Sequence, residues 1–285
     1  MAFRGVCVSA AIILTLAMGP SLAAGPSGTV LAVVQAANID GATGKTVIQP
    51  EQPVYSGDRV ETDAKGSAQI KFRDNTKLVV GPSSSMVIDA FVFSDSNTAR
   101  QVSIDVLKGT LRFMTGTSPK DAYSIKTPTA TIAVRGTEFD VAIENGGATR
   151  VANFEGQTHI CPLAGAAQAG SHCTDVKDPC SVSLVRPAGS DVKSFGAEDI
   201  AYRNRQLKYY FPYVRSQDTL LNDFRVNLKQ CGLADNLISP DAAGPPGAAP
   251  APGSPPTPPP SPPAPTPPSS SPPPAPGAGG TGPGR

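Results

Sequence analysis

The chemistry this chain can offer rests on its cysteines, histidines, carboxylates and one conspicuous arginine. Cys161, Cys173, Cys180 and Cys231 lie in the body of the chain, and Cys7 lies in an apolar N-terminal run. His159 and His172 flank Cys161 and Cys173. Thiols beside imidazoles suggest either a metal centre or a disulfide framework. No Cys-x-x-Cys or His-x₃-His spacing is present, so the spacing does not support a metal site, and no metal or other cofactor is expected. The four cysteines allow three pairings, and the sequence leaves them open. One bridge inside the 159–180 loop region and one tying Cys231 back to it is the expected arrangement.

A nucleophile, phosphate or calcium chemistry would need its own signature. No Gly-x-Ser-x-Gly, phosphate-binding loop, His-Glu-x-x-His or calcium loop occurs. Asp58, Asp74 and Asp140 stand at turns or on strand faces and read as turn or surface residues rather than acid–base groups. No catalytic residue is expected, and the chain reads as a non-enzyme. Arg135, in Arg135-Gly136-Thr137, sits between two strand-like runs. An arginine at a strand kink can cross-link backbone carbonyls or bind a carboxylate through its planar fork. Arg135, Gly136 and Thr137 are therefore the candidate structural or binding residues. As a clasp, Arg135 is expected to support thermal stability.

Composition narrows the partners. The net charge of +1 provides no field for nucleic acid or anionic membrane. Trp is absent and aromatics make up 6%, so no stacking platform stands out. The N-terminus runs from Arg4 through the apolar Val6–Met18 to small residues at Ser21–Ala24. That order is a secretory signal, expected over residues 1–24. The apolar run is shorter than the ~18–20 residues that cross a bilayer, so no transmembrane span is expected after cleavage. Export places the remaining cysteines where disulfides persist. The expected location is the periplasm or another exported compartment.

The elements that position these residues are strands. Phe139, Val141 and Ile143 alternate with Glu138 and Asp140, the period of a half-buried strand. Thr129–Val134 is a second strand, and Arg135-Gly136 is the kink between them. Upstream, Thr29–Val34, Arg59–Thr62, Ala68–Phe72, Leu78–Val80, Met86–Phe93 and Val102–Val106 read as strands. Asp63–Gly66 reads as a hairpin loop, Arg73–Thr76 as a turn with side-chain capping at Asp74 and Asn75, and Lys108-Gly109 as a turn. No helical pattern interrupts them, which excludes a parallel βαβ layout and argues a mainly β domain. Roughly 125 residues suffice for one core. Periodicity does not choose between a short-strand sandwich and a solenoid-like stack.

Several of these pieces occur in a recognisable order. Tyr55–Phe91 (YSGDRVETDAKGSAQIKFRDNTKLVVGPSSSMVIDAF) is followed by VLKGTLRF, IKTPTATIAVRGTEFDV and VANFEGQTHI. This ordered set, over about Val54–Thr158, resembles the FecR domain family. The resemblance implies a periplasmic, β-rich sensing or binding domain without catalysis. In the regulators that name the family, the domain relays an outer-membrane receptor's state to a cytoplasmic sigma factor. Those regulators carry a cytoplasmic segment and a membrane helix, whereas this chain opens with a signal sequence. Direct sigma-factor contact is therefore not expected.

The domain is expected over 28–195. A helical segment follows over 197–232, in which Asp199 caps a helix running to Tyr210. Ser216 caps a second helix with Leu220, Leu221, Phe224 and Leu228 on one face and Cys231-Gly232 at its end. This pair is expected to pack on the β domain. Residues 239–285 are almost wholly Pro, Ala, Gly, Ser and Thr, a disordered tail with polyproline bias. Fully extended, it would reach on the order of 140 Å. The expected role is a sensing or binding module for an envelope protein or small ligand. The alternative is a cell-envelope scaffold whose Pro-rich tail is a spacer, with peptidoglycan as a possible contact.

Overall fold

The structure is a computed structural model that describes residues 25–94, 97–163, 173–187 and 192–233. The expected signal peptide, the Pro-rich tail and His172 lie outside the described residues. Among the described residues, fifteen strands form one hydrogen-bonded network. They are β1 (Gly28–Val34), β2 (Ala37–Gly41), β3 (Gly44–Val47), β4 (Pro53–Val54), β5 (Arg59–Thr62), β6 (Ser67–Phe72), β7 (Lys77–Val80) and β8 (Ser85–Phe93). They continue as β9 (Ala99–Met114), β10 (Tyr123–Lys126), β11 (Ala130–Ile143), β12 (Thr149–Pro162), β13 (Thr174–Val176), β14 (Val182–Val185) and β15 (Val192–Phe195).

The pairings resolve into two sheets joined by three long strands. The first sheet runs β4–β1–β6–β7, then the C-terminal half of β9, the C-terminal half of β11, the N-terminal half of β12, β14 and β15. The second runs β3–β2–β5–β8, then the N-terminal half of β9, β10, the N-terminal half of β11, the C-terminal half of β12, and β13. The β9–β10 pair is parallel and the rest are antiparallel. Both sheets turn one face onto a common core that includes Ile70, Leu78, Ile88, Ile104, Phe113, Ile132, Phe139 and Ile160. This is a sandwich whose corners are made by strands that change sheet.

Each crossing strand shows the same signature. Core residues fall on even positions in the first half of β9 (Val102, Ile104, Val106) and on odd positions in the second (Leu111, Phe113). In β11 they are Ile132 and Val134, then Phe139 and Val141; in β12 the order is Val151, then Ile160. At each change of parity stands a glycine with positive φ: Gly109 (83°), Gly136 (69°) and Gly156 (72°). An extra residue at a bend re-aims the alternation, as a β-bulge does. Gly156 is also sterically required, because a Cβ there would lie 1.9 Å from the Gly136 carbonyl oxygen. The bends of β11 and β12 are thus in contact.

Three expectations need correction. Lys108-Gly109 is a bend within β9, not a turn between strands. Asp63–Gly66 is not a hairpin loop, because β5 pairs with β2 and β8 whereas β6 pairs with β1 and β7. It is a tight turn closed by Gly66 N–H donating to the Asp63 carbonyl, with Asp63 N–H donating to the Ala36 carbonyl and Ser83 N–H donating to the Asp63 carbonyl. The chain changes sheet there. The second helix is also replaced. Helix α1 (Ile200–Tyr210) forms as expected, with the Asp199 carboxylate accepting from Tyr202 N–H at 2.8 Å. Pro212 then opens a four-residue helix, α2 (Pro212–Arg215), and only short 3₁₀ turns follow at Asn222–Phe224 and Lys229–Cys231. Leu220 and Phe224 are buried in that extended segment while Leu221 is exposed, so the apolar stripe serves packing rather than a helix face.

The segment from Ala197 to Leu233 covers the outer face of the first sheet. Leu207, Phe211, Val214, Val226 and Leu233 pack on Met114, Ala142, Ala152, Phe154 and Val182. Tyr213, Leu220 and Phe224 pack on Val79. The central strands of this sheet, such as β6, β7 and β14, are consequently buried on both faces, and Asp140 is not the surface residue its alternation predicts. Among the described residues, no helix is long and apolar enough to cross a membrane.

Candidate functional site

The charged residues of the covered face are built into the fold. Arg112 on β9 is completely buried and grips Asp140 of β11 with both arms of its fork: Nε donates to Oδ1 at 2.7 Å and Nη2 to Oδ2 at 2.9 Å. Its third nitrogen donates to Gln217 Oε1 and to the Phe224 carbonyl of the covering segment. Phe154 and Tyr213 flank the guanidinium, each ring centroid 5.5 Å away. Arg150 on β12 is also held at all three nitrogens, but by three different residues: Nε donates to Glu144, Nη1 to Gln206 and Nη2 to Tyr210. Bidentate, charge-assisted bonds of this kind fix relative orientation. All three of Arg112's nitrogens are engaged within the fold, so the pair is a structural clamp and not a ligand site.

Arg135, the arginine the sequence singles out, is elsewhere. It lies exposed at the β11 bend, and its side chain has no hydrogen-bond or ion-pair partner among the described residues. Gly136 is exposed beside it and Thr137 is buried, with the Thr115 hydroxyl donating to the Thr137 carbonyl at 2.7 Å. The clasp expected of Arg135 is made by Arg112. No local signal marked Arg112, because its partners lie 28 and 105 residues away in sequence.

Asp74 is the turn residue expected, but it is wholly buried. Its carboxylate accepts from Thr76 N–H, the Thr76 hydroxyl, Ser118 Oγ and Tyr123 Oη at 2.8–3.0 Å. Tyr123 Oη in turn accepts from Ser118 N–H at 3.0 Å. Burial pushes the Tyr123 phenol above its usual range. The Asp-x-Thr turn thereby ties the β6–β7 hairpin to the start of β10 in the second sheet.

The four cysteines form two bridges, Cys161–Cys173 and Cys180–Cys231. The first lies at the β12–β13 ladder. The second joins the loop before β14 to the covering segment and is buried in its core.

A cleft of about 690 Å³ lies between the β2–β3 turn and the Gln52–Asp58 segment. That volume falls within the range of ligand pockets, roughly 300–1,000 Å³. Gly41, Ala42 and Gly44 keep one wall low, and Ile39, Pro53 and Tyr55 supply apolar surface. Asp58 lies at its margin, where burial pushes its carboxyl up and the bond from Tyr55 N–H (2.8 Å) pulls it down. Beside the cleft, β3 pairs only with β2 and is exposed along its whole length. An unpaired strand edge offers backbone donors and acceptors to an incoming strand.

Residues 58–158 match the family model described as FecR protein. The chain carries a FecR-like domain. The matched family is a non-catalytic class, in keeping with the absence of nucleophile motifs from the sequence. Two crystal structures, each of a candidate anti-sigma factor from Parabacteroides distasonis, are similar at 13% identity. One has a TM-score of 0.37, covering 50% of this chain and 63% of the other; the second has 0.39, covering 53% and 64%. This chain thus spans just under two thirds of either. A cell surface anchoring domain is similar at 25% identity over 22% of this chain and 83% of its own, with a TM-score of 0.21. Comparison with curated proteins gave no match.

Proposed function

We propose that this chain is an exported, non-enzymatic sensing or binding module of FecR type, which receives an envelope protein or small ligand at the cleft beside β3. The observation that carries the reading is an open cleft lying beside the exposed, unpaired edge of β3. An extended segment adding to β3 would gain main-chain hydrogen bonds, and the cleft would take its side chains. On this reading the chain acts outside the cytoplasm, and any relay to a sigma factor runs through another protein.

The test is site-specific photo-crosslinking in intact cells from Thr46 on β3, with Leu107 on the second sheet's outer face as reference. A discrete adduct from Thr46, abolished by Ala42→Trp in the cleft, is expected. Equal adducts from both positions would remove the cleft from the proposal. Retention on purified peptidoglycan that disappears on deleting residues 239–285 would favour the scaffold reading, which rests on the tail's composition.

A further inference from the structure

The β12–β13 ladder brings together four side chains that spacing along the chain keeps apart. His159 stands directly opposite Asp175, and Ile160 opposite Thr174. One step further, Cys161 stands opposite Cys173, with their Cα atoms 4.2 Å apart. Residues two apart on a strand share a face. His159 and Cys161 therefore lie on the same face as Cys173 and Asp175, two from each strand. The His159 ring nitrogen and the two sulfurs all lie within 4.8 Å of one another. His159 Nδ1 is 2.7 Å from Asp175 Oδ1. His159 and Cys161 on one strand and Cys173 on its neighbour form a ligand set that no Cys-x-x-Cys search detects, with Asp175 behind the histidine.

The geometry points to a redox-gated site for a soft divalent cation, closed while Cys161 and Cys173 are joined and open when they are reduced. Two thiolates and an imidazole suit zinc or cobalt. The bond to Asp175 holds Nδ1 and leaves Nε2 to face the metal, the second-shell arrangement that fixes a ligating histidine. The disulfide itself cannot bind as thiolate, so the two states exclude each other.

The gating step is thiol–disulfide exchange with an external dithiol. One thiolate of the dithiol attacks a cysteine sulfur, the second resolves the mixed disulfide, and the dithiol leaves oxidised. Two electrons and two protons pass to Cys161 and Cys173. Binding of the cation then releases the two thiol protons. Access separates this bridge from the other: Cys161 and Cys173 are partly exposed, whereas Cys180 and Cys231 are each 1% exposed.

The test uses cobalt(II) as probe on the purified chain. A dithiol is applied under native conditions and removed without air, and freed thiols are located by alkylation and mass spectrometry. The expected result is thiols at Cys161 and Cys173 only, one cobalt per chain, and a thiolate-to-cobalt charge-transfer band absent from the oxidised protein. Alkylation before cobalt should abolish the band. His159→Ala, which leaves the disulfide intact and so tests the site without risking the fold, should weaken binding at least tenfold. Asp175→Asn should weaken it about tenfold. A reduced chain that binds no cobalt, or a His159→Ala chain that binds it undiminished, would overturn the site.

Discussion

On the outer side of the first sheet, Arg112, Asp140 and Gln69 are sealed beneath the C-terminal segment, whereas the second sheet turns Leu107, Arg135 and the Lys126–Asp89 pair to solvent. Both faces belong to the same sandwich and share the same three crossing strands. On the covered face Gln69 bonds the segment directly: its Nε2 donates to the Thr219 carbonyl at 3.0 Å, and its Oε1 accepts from Leu221 N–H at 2.9 Å. On the bare face Lys126 and Asp89 pair in water and Arg135 stands exposed. The covered face is therefore committed to holding the fold, and the open one, with the β3 edge and the β12–β13 ladder, remains available for binding.

Breaking the buried pair should produce the largest effect. Asp140→Ala leaves Arg112 charged and unpaired in a dry environment, at a cost of about 3–5 kcal/mol, read as a fall in the urea midpoint. Asp89→Ala on the bare face removes a bond of similar length, 2.9 Å to Lys126, yet should cost under ~1 kcal/mol because water screens it. Equal losses at the two sites would end the distinction between the faces.

The two disulfides sharpen the same contrast. Cys180–Cys231 closes a separation of 51 residues and Cys161–Cys173 one of 12. Chain entropy alone assigns them about 4 and about 3 kcal/mol. Only the first also anchors the covering segment to its core. Cys180→Ser with Cys231→Ser should therefore expose Arg112's surroundings to hydrogen exchange, while Cys161→Ser with Cys173→Ser should leave that exchange unchanged. Gln69→Ala, which removes both bonds to the segment, should cost about 1–2 kcal/mol. Arg135→Lys should fall within about 0.5 kcal/mol of the parent, against the stabilising clasp that its place at the kink suggests.

The strands were largely legible because their residues alternate locally, and the kink at Gly136 could be seen because the apolar parity changes there. The same change at Gly109 and Gly156 carries the same information, and reading all three together distinguishes a sandwich with crossing strands from separate hairpins. Asp140 was misread because its polar position in an alternating strand implies solvent. The long-range return of the C-terminal segment covers the face on which it lies. The second helix failed for a related reason: Leu220 and Phe224 have helical spacing, but each meets a fixed pocket on the first sheet, and tertiary contact outweighs a weak propensity. The His159–Cys161–Cys173 group was hidden because strand register, not chain spacing, assembles it.

Glu138 marks the edge between the two regimes and yields the smallest prediction. It is half-buried on β11 opposite Glu155, and burial first, then the Glu155 charge, pushes its carboxyl above the usual 4.5. Asp89 on the bare face shifts the other way, held below its usual range by the bond from Lys126. The signs have opposite consequences. Asp89's contribution is present above its unfolded pKa and is lost as pH falls through the lower folded value. Glu138 instead imposes a penalty above its folded pKa, because the folded chain binds its proton more tightly than the unfolded chain does. Acidification through that folded pKa relieves the penalty. Glu138→Gln should accordingly be more stable than the parent at pH 7, by under about 1 kcal/mol once solvent screening is allowed for. The advantage should vanish near pH 4, as measured by paired urea titrations. A variant less stable than the parent at pH 7 would mean that Arg112 and Lys77 outweigh burial at this position, moving Glu138 into the clamped face.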